Sequence, residues 1–150
     1  MLRYLLIGIP VILLCLVLQA ALVSVSLRYY TRFRSSQSHR NSQLADTLVL
    51  SVVMLLTLMG NCVQIATWAL LFLMLGEFQD FPSAFYHSSV NFVTLGYGDI
   101  VMSKEWRLLG PLEAANGILM FGVSTSVMTA AVIDVIKYNR AAKESRSAED

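Results

Sequence analysis

The chain has 150 residues, of which 56% are hydrophobic and only 14% charged, with a net charge of +1. Soluble domains average roughly a quarter charged residues, so an ordinary soluble domain is excluded, and a near-neutral chain offers no bulk electrostatic basis for a nucleic-acid or acidic partner. The apolar residues lie in long blocks: no charge interrupts the chain between Arg3 and Arg28, between Asp46 and Glu77, or between Glu113 and Asp134.

Each block reaches the roughly 20 residues of helix that cross a hydrocarbon core about 30 Å thick. Helices of this length in soluble proteins show a polar face. The first block predicts a membrane helix over residues 2–27, with Pro10 near enough to its start to be accommodated or to bend it. A secretory signal peptide is the alternative. The run is longer than the usual h-region, however, and no small-x-small cleavage site closes it, so a retained helix is expected. Residues 28–43 read as a polar linker with Arg28, Arg32, Arg34 and Arg40 and no acidic residue. Tyr29, Tyr30 and Phe33 interleave with the arginines, as at a membrane–water boundary, and the serines and Asn41 make the rest a loop. These arginines suit anionic lipid headgroups. They lie outside the apolar blocks and so do not form a voltage sensor.

The second block predicts a helix over residues 44–75, with Gly60, Asn61 and Gln64 turned toward another helix rather than lipid. Cys15 and Cys62, both within apolar blocks, read as packing residues rather than a disulfide or metal site. Residues 81–98 are uncharged but diluted by Pro82, His87, Ser88, Ser89 and Asn91. They predict a short helix over 82–93, with Pro82 in the first turn, and then an irregular segment broken by Gly96 and Gly98. Such backbone at membrane depth is tolerated only where protein buries it or where it lines a wet cavity, which points to a pore or re-entrant loop. A third helix is expected over 111–137, after Gly110, followed by a short, charged, frayed tail over 138–150. Asp134 is expected as a solvated helix-end carboxylate, the alternative being a ring at an inner mouth. Lys137, Arg140, Lys143 and Arg146 cluster around the tail as the four arginines do in the linker. The positive-inside bias puts both segments in the cytoplasm and, with an odd number of spans, the N-terminus and the re-entrant loop outside. Arg3 is the exception.

The segment Thr94-Leu95-Gly96-Tyr97-Gly98-Asp99 has a specific chemistry. A ring of backbone carbonyls can replace the water shell of a dehydrated cation. Pointing successive carbonyls the same way requires alternate residues in left-handed conformations, which are costly with a Cβ and cheap for glycine. Gly96 and Gly98 have that spacing. Leu95 and Tyr97 then turn outward, Thr94 adds a hydroxyl oxygen, and the C-terminal dipole of the preceding short helix favours a cation.

Residues 85–100, which contain this segment, resemble the pore loop of the potassium-channel family. Over residues 44–137 the chain is similar to a small bacterial member with two pore-domain helices, residues 1–43 being an added helix and linker and 138–150 a cytoplasmic tail. The resemblance implies two pore-domain helices around a re-entrant pore helix and a filter loop, conducting K+ passively; with the added helix the reading is an all-α membrane protein with three transmembrane helices. It implies K+ coordination by the carbonyls of Thr94, Leu95, Gly96 and Tyr97 and by the Thr94 hydroxyl. Filter support would come from Gly98, from Asp99 bonded to Tyr86, and from His87 bracing the filter tyrosine, with an inner-helix hinge at Gly117 or Gly122. Three departures bear on inactivation more than on selectivity. Leu95 replaces the commoner valine, Asn91 and Val93 stand where threonines are frequent, and Val90 stands where some members carry a glutamate that bonds the filter aspartate. His87 is expected as a neutral brace rather than a pH sensor, although imidazole titrates near neutrality.

One chain supplies one loop and has no internal repeat, so a homotetramer is expected. K+ enters as permeant ion, with no cofactor and no other small-molecule substrate. Membrane lipid is the expected surrounding, in a bacterial inner membrane crossed several times. No catalytic constellation is present, and Gly96-Tyr97-Gly98 lacks the strand-to-helix context of a dinucleotide site, so an enzyme is not expected. The alternatives are a non-conducting subunit that uses the pore fold for assembly, against which the intact filter argues, and a poorly selective cation channel, against which Tyr97 argues.

Overall fold

The computed structural model describes residues 2–36 and 43–149. Four helices follow in order: α1 (Leu2–Ser36), α2 (Gln43–Met74), α3 (Phe81–Phe92) and α4 (Leu109–Glu149), with no strand among the described residues. Three stretches are long and apolar enough to cross a membrane: Leu2–Tyr30, Asp46–Met74 and Leu109–Arg140. The short helix α3 lies between the second and third.

Two helices outrun their expected ends. α1 continues through the arginine segment to Ser36 instead of stopping near residue 27. Arg28 to Ser36 contain no glycine or proline to break a helix. Tyr30 is buried there, with its hydroxyl bonded to the Asp134 carboxylate of α4, so a tertiary contact holds the added turns. α4 likewise runs to Glu149, through the tail expected to fray. That tail is rich in Ala, Arg, Lys and Glu, all strong helix formers, and Asn139 Nδ2 donates to Asp46 Oδ2 of α2 at 2.8 Å. The loop expected over residues 37–42, with Arg40 and Asn41, lies outside the described residues, as do the side chains of Phe33, Arg34, Lys143 and Arg146.

α1 is held at three depths, by the loop that precedes α4 and by α2 and α4 themselves. At one end Arg3 Nη2 reaches Glu105 Oε1 at 2.7 Å, and its guanidinium lies 4.1 Å from the Trp106 ring centre. Midway, Gln64 Nε2 of α2 donates to Gln19 Oε1 at 2.7 Å, and Gln19 Nε2 donates to Ser124 Oγ of α4 at 3.2 Å. At the other end stands the Tyr30–Asp134 bond. Asp134 therefore faces α1 and is spent on a helix–helix contact. Gln64 and Asn61 are both buried within the bundle rather than turned to lipid, and Gln64 finds its partner there in Gln19. Both cysteines are free thiols, Cys15 fully buried and Cys62 half-buried.

The core that positions the loop is formed by Cys15, Ile65, Trp68, Phe72, Phe92, Met102, Leu109 and Met120, drawn from all four helices and the loop. A second cluster, with Tyr30, Val49, Val53, Ala131 and Val135, closes the opposite end.

Candidate functional site

α3 is set by its caps. Asp80 is the N-cap, its Oδ2 accepting from the Ser83 N–H at 2.7 Å and its Oδ1 from the Ser83 hydroxyl at 3.0 Å, and Pro82 occupies the first turn. At the C-terminus the Thr94 N–H donates to Asn91 O and the Leu95 N–H to Val90 O, each at 2.9 Å. That pairing is a Schellman motif, which requires a left-handed residue just past the cap. Glycine usually fills that place. Here Thr94 fills it, at φ 60°. A β-branched residue in this region is an outlier that costs on the order of 1–2 kcal/mol, and strain of this kind concentrates at functional sites.

The left-handed conformation then recurs at every second residue, at Gly96 (φ 59°) and Gly98 (φ 73°). The alternation expected from the two glycines thus begins one step earlier, at Thr94. Leu95 (55% exposed) and Tyr97 (66% exposed) project from the protomer uncovered.

Beyond Gly98 the chain is fastened back onto α3. The Tyr86 hydroxyl donates to Asp99 Oδ2 at 2.7 Å, while Asp99 Oδ1 accepts from the Ile100 N–H at 3.0 Å. One residue on, His87 Nδ1 lies 2.9 Å from Ile100 O, and His87 Nε2 lies 2.9 Å from Asn91 Nδ2. The Asn91 amide nitrogen can only donate and the Ile100 carbonyl only accept, so in this arrangement the imidazole is neutral with its proton on Nδ1. Phe72 and Phe78 flank the ring at 5.7 and 5.0 Å. Within the protomer His87 therefore braces Ile100 and not Tyr97, as both nitrogens are already engaged. Val90, where a glutamate was a family option, is buried and apolar, and the second Asp99 oxygen turns to its own neighbour instead.

The next residues are clasped from two sides. Glu77, just past α2, accepts from the Ser103 N–H at 2.6 Å and from the Ser103 hydroxyl at 2.7 Å. Arg3 holds Glu105, which explains its position: the N-terminus of α1 stands at the same end of the bundle as the loop. Gly117 of α4 lies under the end of α3, where a Cβ would fall 1.9 Å from Phe92 O. Its missing side chain is explained by close packing in an unbroken helix. Around Gly122 there is open space.

A family model described as an ion channel matches residues 58–134, just over half of the chain. The chain belongs to this ion channel family, of the potassium-channel type. Comparison with curated proteins and with solved structures found no match. The matched region of the channel runs from mid-α2 through α3 and the loop to Asp134 in α4, and leaves α1 outside. With three spans, the channel is a multi-pass membrane protein.

Several residues that matter for this site were not singled out from the sequence. Asp80 directly precedes the helix and Pro82, a start signal that was available. Glu113 is an ionisable residue at the head of an apolar block, and such a residue is itself a signal of function. The Glu77 clasp and the Thr94 conformation have no local signature.

Electrostatics separate the two supports. The bond from Tyr86 holds the Asp99 carboxyl below the usual carboxylate range, and the same bond pushes the Tyr86 phenol up. The anchor is therefore complete above the ordinary carboxylate pKa and is lost only as pH falls through the lowered one. Tyr86→Phe removes the anchor at every pH, so the variant should inactivate faster than wild type and lose the acid dependence that wild type shows as pH falls through the lowered Asp99 pKa. The inactivation rate against pH reports this, and superimposable profiles, or unchanged inactivation in Asp99→Asn, would count against the anchor. His87 is pushed down from its ordinary value, chiefly by burial. It therefore protonates below the ordinary histidine value, and its bracing is lost as pH falls through that lowered pKa. Open probability should accordingly show no step at the ordinary histidine pKa. A response present in wild type and absent in His87→Phe would make it a sensor.

Proposed function

We propose that this channel is a potassium-selective homotetramer that passes K+ down its electrochemical gradient, with residues 94–98 of four protomers forming the filter. The observation that carries this is the left-handed alternation at Thr94, Gly96 and Gly98 immediately after a re-entrant helix. It is the backbone pattern that turns successive carbonyls to one side as ligands for a dehydrated ion. The carbonyls of Thr94, Leu95, Gly96 and Tyr97 and the Thr94 hydroxyl are the K+ ligands, and Gly98, Asp99, Tyr86 and His87 support them. The exposed Leu95 and Tyr97 favour the assembly, since irregular backbone at membrane depth has to be buried by protein.

In this proposal residues 44–137 form the pore domain, 1–43 an added helix and its basic connection, and 138–150 the tail. The N-terminus and the loop face outside, with the basic ends of α1 and α4 in the cytoplasm. Gly122, free of packing, is the better placed inner-helix hinge. Native mass spectrometry of purified protein should give a four-chain mass, and a monomer or dimer would contradict the assembly. Proteoliposomes should release K+ but retain Na+ when a protonophore balances charge.

A further inference from the structure

Glu113 lies in the first turns of α4, within a membrane span, and is fully buried. Its Oε1 contacts the hydroxyl of Ser88 on α3, itself fully buried. The same Ser88 Oγ lies 2.8 Å from the Ile65 carbonyl of α2. A hydroxyl has one proton to give. Were Glu113 ionised, Ser88 would face two acceptors with a single proton, and one contact would set lone pair against lone pair. A proton on Glu113 resolves both contacts: the carboxyl donates to Ser88, and Ser88 donates to Ile65 O.

The surroundings agree with this. Among the described residues no cation faces Glu113: Cys15 lies near it on α1, and the Asn91 amide on α3 is a neutral donor, which favours a carboxylate less than a cation would. His87, the titratable group on α3, is neutral and separated from Glu113 by Asn91, with which it hydrogen-bonds. Apart from Glu113 itself, no charged residue occurs in α1 between Arg3 and Arg28, in α2 between Asp46 and Glu77, or in α4 up to Asp134. The ion pair present among the described residues, Arg3–Glu105, lies elsewhere. Glu113 Oε2 is buried with no hydrogen-bond partner, which a neutral carbonyl oxygen withstands far better than a carboxylate.

We propose that Glu113 is a positioning residue, held as a carboxylic acid, whose proton completes the chain Glu113–Ser88–Ile65 O and so fixes α3 between α2 and α4. Its effect on conduction rests on residues 94–98 being the filter, while its effect on protonation and stability does not. The test uses the full-length protein in liposomes. Infrared spectra at neutral pH should contain a carboxylic-acid C=O band that disappears in Glu113→Gln. That variant keeps an N–H donor of similar reach, so it should retain thermal stability and current. Glu113→Leu removes the donor and should lower both, with open probability falling about tenfold, the scale of one lost buried hydrogen bond. No acid band, or a Gln variant as damaged as the Leu variant, or a Leu variant like wild type, would overturn the proposal. If the wild type shows the band but carries no K+ current, the filter assignment fails, and the thermal comparison of Gln with Leu still decides the role of Glu113.

Discussion

Gly117→Ala is expected to unseat the end of α3. The added Cβ would stand 1.9 Å from Phe92 O, 2.8 Å from Phe92 C and 3.1 Å from Phe92 Cα. All three are backbone atoms, so no rotamer change relieves the clash, and either α4 or the end of α3 has to move. Overpacking a filled site costs typically 1–3 kcal/mol and occasionally more, and this case belongs at about 3 kcal/mol per protomer. Phe92 precedes the Val93 cap and Thr94, so the displacement passes straight into the left-handed segment. Loss of both melting temperature and current is the predicted result. Gly122→Ala is the control for melting alone: nothing lies within 4 Å of its Cβ position, and replacing a helix-interior glycine should stabilise by about 0.5–1 kcal/mol. A Gly117→Ala protein that melts like wild type and differs only in gating would make Gly117 a hinge instead.

Gly96→Ala should abolish selective conduction while leaving the fold intact. Gly96 sits at φ 59° with nothing within 4 Å of its Cβ position, so conformation and not space is the constraint. The left-handed region costs an L-residue on the order of 1–2 kcal/mol, and four symmetric copies would bear it in one ring. Thr94 already carries that strain, so a second strained residue two positions away leaves relaxation of the alternation as the easier response. Unchanged melting with lost K+ preference is expected. Retained selectivity would show that the carbonyl alternation is not what selects the ion.

What was legible in the sequence divides along the range of the forces involved. The three spans follow from uninterrupted apolar blocks, and α3 from Pro82 and the two glycines, because hydropathy and backbone constraints act locally. Tyr86 and Asp99 meet as the family pattern implied, since α3 and the six residues after it fix their separation. The ends of α1 and α4 were not legible. Arg28 to Ser36 and the tail are compatible with either loop or helix, and the contacts Tyr30–Asp134 and Asn139–Asp46, made between residues far apart in the chain, decide for helix. Thr94 was hidden for a related reason. Its intrinsic preference opposes φ 60°, and the paired bonds to Val90 O and Asn91 O override it. The orientation of His87 depends on Phe72, Phe78 and Asn91 together, which no spacing rule contains.

The most direct test of the central claim is the reversal potential of the purified protein in a planar bilayer, with K+ on one side and Na+ on the other. A reversal displaced strongly toward the potential that opposes K+ flow, and abolished in Gly96→Ala, is the predicted result. A reversal near zero in the wild-type protein would contradict potassium selectivity at residues 94–98.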